Sequence, residues 1–115
     1  MRYIPLGFSL LFAVLSAPTL AADAEAGLLA VKSLGGVNGQ ALACAETKVA
    51  ARARELMLAH APKTQRFGAA YEEATQEAYT AQTRSGQACA SATELTAQLN
   101  ALALRLSDAL PVAAK

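Results

Sequence analysis

The stretch SATELTAQLNALALRLSDAL, Ser91 to Leu110, decides the fold class of this chain. Ala92, Leu95, Leu99, Leu102, Leu106 and Leu110 recur at spacings of three and four, which draws one narrow apolar seam along a helix. Ser91 and Glu94 have the spacing of a capping box. The serine hydroxyl accepts from the amide three residues on, and the glutamate carboxylate accepts from the serine amide. A helix with so narrow a seam buries it against other helices, and the chain around it supplies them.

Working back from Ser91, Ser85-Gly86 and Pro62 punctuate the sequence, and Pro111 closes the far end. Residues 64–84 and 40–61 hold no internal proline and are rich in Ala, Leu, Glu, Gln and Arg, so each is expected to be helical. The first offers Phe67, Tyr71, Ala74, Ala78 and Ala81 as a thin apolar face. The second offers Leu42, Val49, Leu56 and Ala59. Gly35-Gly36-Val37-Asn38-Gly39 reads as a further break. It leaves residues 23–34 as a short first helix, opened by Asp23 and Glu25 and carrying Leu28, Leu29, Val31 and Leu34. The expectation is an all-α protein, a small up-down helical bundle of three long helices plus a short N-terminal helix. Antiparallel pairing about Pro62 then sets Arg52 opposite Glu73 and Lys48 opposite Glu77.

The N-terminus reads as an export signal. Arg2 gives a positive start, Ile4 to Leu15 is almost wholly apolar, and Thr19-Leu20-Ala21 places small residues where a signal peptidase cuts. Residues 1–21 are therefore expected to be a signal peptide and residues 22–115 the helical bundle domain. The apolar run is shorter than the ~20 residues that span a bilayer, so no stable membrane anchor is expected after cleavage. The address is the periplasm or the exterior. Cys44 lies too far behind the apolar run for a lipoprotein cysteine. The chain has ten Lys plus Arg against nine Asp plus Glu. Loss of Arg2 balances them, so no field favours nucleic acid or an anionic membrane.

Two cysteines in an exported chain read first as one disulfide, here Cys44 with Cys89. There is no CxxC spacing for redox chemistry and only one histidine, His60, for a metal. Met57 and His60 share a helix face at i, i+3 and could present a thioether and an imidazole to copper, but two ligands make a poor site. They also cannot flank a haem, for which two ligands must come from opposite sides of the ring. Glu73 and Glu77 share a face at i, i+4, a spacing that suits a solvated surface as well as acid–base work. No GxSxG, phosphate loop or zinc spacing is present. No catalytic residue, cofactor or metal is expected, and the chain reads as a non-enzyme.

The aromatic residues Phe67, Tyr71 and Tyr79 gather on the expected third helix, within residues 64–84. They are candidates for an interaction surface as well as for the core. The function expected is that of a small exported binding or adaptor protein whose partner is another protein. A periplasmic stress chaperone is the alternative, and metal binding through Met57 and His60 a weaker one. In size and cysteine number the chain is similar to the small periplasmic acid-stress chaperones of enteric bacteria, but none of their local motifs is matched.

Overall fold

The structure, a computed structural model, describes residues 20–111; residues 1–19, most of the expected leader, lie outside the described residues. Four helices follow in order: α1 Leu20–Ala43, α2 Thr47–His60, α3 Gln65–Ser85 and α4 Ala92–Ala109. The all-α bundle and its Cys44–Cys89 disulfide are as expected. No described helix is long and apolar enough to cross a membrane.

The expected short first helix is instead 24 residues long, running straight through Gly35-Gly36-Val37-Asn38-Gly39. Glycine in a helix interior costs about 1 kcal/mol relative to alanine, and packing overrides that cost here. Val31, Leu34, Val37 and Ala41 are buried, and Gly35 and Gly39, one turn apart, face α3. A Cβ on Gly35 would lie 2.6 Å from the Tyr71 carbonyl oxygen, and one on Gly39 2.2 Å from that of Thr75. Only glycine permits so close an approach of two backbones. As α1 advances from Gly35 to Gly39, its neighbours advance from Tyr71 to Thr75, so the two helices run parallel.

The true break comes at Cys44 to Glu46. The Glu46 amide donates to the Ala41 carbonyl at 2.8 Å and the Ala45 amide to that of Leu42 at 3.3 Å, the bond pair of a Schellman cap. Ala45 takes the left-handed position that glycine usually fills, with φ 57°.

α2 and α4 pack on each other and on α1. Their N-terminal approaches are joined by Cys44–Cys89. At their C-terminal ends His60 Nδ1 is 2.7 Å from the Leu110 carbonyl oxygen, so they run parallel as expected. A 45-residue loop closed by a disulfide is worth about 4 kcal/mol in the chain-entropy description. α4 carries the expected capping box between Ser91 and Glu94 and buries Leu95, Leu99, Leu102 and Leu106. Val49, Ala53 and Leu56 of α2 complete this part of the core, while Leu42 and Ala59 are exposed.

α3 is attached differently. No Cα of α3 lies within 8 Å of one in α2 or in α4; it rests on α1. The expected pairing about Pro62 is therefore not made. Arg52 pairs instead with Glu55 on its own helix at 3.4 Å, the one ion pair among the described residues. The physical reason is the glycine pair, which draws α3 onto α1 and away from α2.

Candidate binding groove

Because α2 and α3 both sit on α1 with no Cα of one within 8 Å of the other, a groove of about 670 Å³ runs between them. Its floor comes from Asn38 of α1. One wall is the α2 stripe of Ala50, Ala51, Arg54, Met57 and Leu58; the other is Gly68, Tyr71 and Glu72 of α3. The α2 stripe follows helical spacing over about 12 Å of axis, at ~1.5 Å per residue. Leu42 is 49 % exposed and Leu58 61 %, and both stand on its lips.

The opposite flank of the α1–α3 contact offers the comparison. There the surface depression is lined by Lys32, Ser33, Glu73 and Glu77 with alanines and Gly36. One helix seated on another leaves two flanks; both carry charged side chains, but only the α2 side adds leucines and a methionine, the other having alanines alone. A depression that merely faces water has no need of leucines, and contiguous exposed apolar surface marks interaction sites.

Tyr71 ends on the groove side. It is only 8 % exposed, and its hydroxyl is the one buried side-chain polar atom among the described residues without a hydrogen-bond partner. Burial pushes the phenol up to about 12; Glu72 adds to the rise and Arg54 opposes it. Both charged groups line the groove, one on each wall, and they do not pair with each other. Asn38, also buried, is satisfied: its Nδ2 donates to Thr75 Oγ1 at 3.2 Å, and that hydroxyl donates to the Tyr71 carbonyl at 2.8 Å. This chain of bonds holds the backbone of Tyr71 against α1.

The three aromatics named from sequence separate. Phe67 and Tyr71 enter the core from the first turns of α3, where Thr64 caps the helix and accepts from the Phe67 amide. Tyr79 lies two turns beyond Tyr71 and is 42 % exposed, away from the groove lining. Met57 is half-buried and belongs to the groove, while His60 commits Nδ1 to the Leu110 carbonyl and clasps α2 to α4. Among the described residues no three His, Cys, Asp or Glu side chains gather as a metal site would require. Leu42, Arg54, Leu58 and Glu72 did not stand out in the sequence as site residues. No family model, curated protein or solved structure matches the chain.

Proposed function

We propose that this chain is a small binding protein exported to the periplasm, an adaptor for another protein, and that the groove between α2 and α3 is its binding surface. The observation that carries this is the pair of exposed leucines, Leu42 and Leu58, on the lips of a groove that Met57 and Tyr71 also line, where the depression across α3 has alanines alone for apolar side chains. The apolar leader at Ile4 to Leu15 and the disulfide support an oxidising, exported location. A photo-crosslinking residue at position 58, compared with one at the still more exposed Leu104 outside the groove, tests it in cells. A discrete adduct at 58 alone is expected. Adducts of equal yield at both positions, or none at 58, would remove the reading.

A second reading, a stress chaperone, draws on the seat of α3, which packs closely on α1 but has no Cα within 8 Å of α2 or α4. Light scattering of a denaturing client protein with and without the chain, in acid and in heat, decides it; lack of protection under both conditions rules it out.

A further inference from the structure

The groove is a trough open along its length. Its lining residues recur at helical spacing on α2, from Ala50 through Arg54 to Leu58, and the walls are separate helices that could receive a third between them. Helix-in-groove recognition places apolar anchors at i, i+3 or i+4, and i+7 into such a trough, and exposed Leu42 and Leu58 would flank them. The walls carry opposite signs, Arg54 on α2 and Glu72 on α3, and neither has an ionic partner among the described residues. The Tyr71 hydroxyl is buried, so it offers no donor to an occupant. An apolar chain with a single carboxylate head, such as a fatty acid, fits poorly. Its head would answer Arg54 and leave Glu72 on the facing wall unanswered.

We propose that the groove receives an amphipathic helix of the partner protein, with an acidic residue facing Arg54, a basic residue facing Glu72 and apolar residues between them. This rests on the groove being the binding surface and adds the chemistry of what occupies it. Arg54 and Glu72 act by complementarity, which sets partner choice more than raw affinity.

Three fluorescein-labelled helical peptides of about 18 residues test it. All carry leucines at i, i+4 and i+7; their flanks bear glutamate on one side and lysine on the other, glutamate on both, or lysine on both. Anisotropy titrations of the purified protein are expected to favour the mixed peptide by about tenfold over either uniform one. Because a mixed helix can lie in either direction, the variants decide. Arg54→Glu makes both walls acidic and should shift the preference to the lysine-flanked peptide; Glu72→Arg should shift it to the glutamate-flanked one. Both positions are exposed, so the fold is kept, and circular dichroism verifies that. If all three peptides bind alike in every variant while Leu58→Ser weakens them together, the charge assignment falls and the groove stands. If none binds saturably, if Leu58→Ser changes nothing, or if laurate binds in their place, the helix-receiving groove is overturned as well.

Discussion

α4 and α3 have similar lengths, yet they are held in opposite ways. α4 inserts four leucines between α1 and α2; Leu95 and Leu106 are fully buried, and its start is fixed by a reciprocal cap. α3 buries Phe67, Ala70 and Tyr71 near its N-terminal end, and beyond them it lies with small residues against Gly35 and Gly39. Leucine packing makes a helix part of the core. Glycine packing brings a helix close while burying little side chain, and it leaves flanks open on either side. The groove is a consequence of that second mode.

The contrast is most easily broken at α4. Leu99→Ala removes a side chain only 2 % exposed and should cost about 2–5 kcal/mol in urea denaturation. Tyr71 comes next. Its folded pKa is raised above the unfolded value of about 10, so its contribution is fully present below pH 10 and is lost as the pH rises toward about 12. Wild type should therefore lose on the order of 2 kcal/mol more than Tyr71→Phe across that window, read from melts of both proteins at matched alkaline pH.

The glycine seat is tested by a pair of opposite sign. Gly39→Ala drives a Cβ into the Thr75 carbonyl and should cost about 1–3 kcal/mol, with α3 displaced. Gly36→Ala meets nothing within 4 Å and should stabilise by about 0.5–1 kcal/mol through helix propensity alone. The smallest effect is expected at the end of α1, where Ala45→Gly relieves the left-handed alanine and should gain about 1 kcal/mol or less.

These positions also mark what could be read in advance. α4 was legible because every signal in it is local and agrees: the Ser91 and Glu94 cap, the leucine seam and Pro111 beyond. α2 and α4 lie parallel, as the Cys44 and Cys89 positions implied. The middle of α1 was not legible, because a glycine pair at i, i+4 either breaks a helix or admits a close neighbour, and only α3 decides which. The end of α1 was hidden for the converse reason, a left-handed position filled by alanine with no glycine to announce it. Both errors moved Leu42. Assigned to the second helix it counted as core; carried at the end of α1 it stands on the groove lip, 49 % exposed. The groove itself follows from the gap between α2 and α3, a tertiary fact that no local pattern holds. Tyr71 was singled out as a candidate for an interaction surface or for the core; its buried hydroxyl without a partner is a tertiary feature the sequence does not carry.

Amide hydrogen exchange resolved by residue measures the separate seating of α3 directly. Amides between Leu95 and Leu106 of α4 should exchange only in global unfolding, with those between Thr75 and Ser85 of α3 faster by about a hundredfold or more through local opening. Equal protection of the two segments would contradict it, since α3 would then be part of one cooperative core and the groove beside it a fixed furrow in that core.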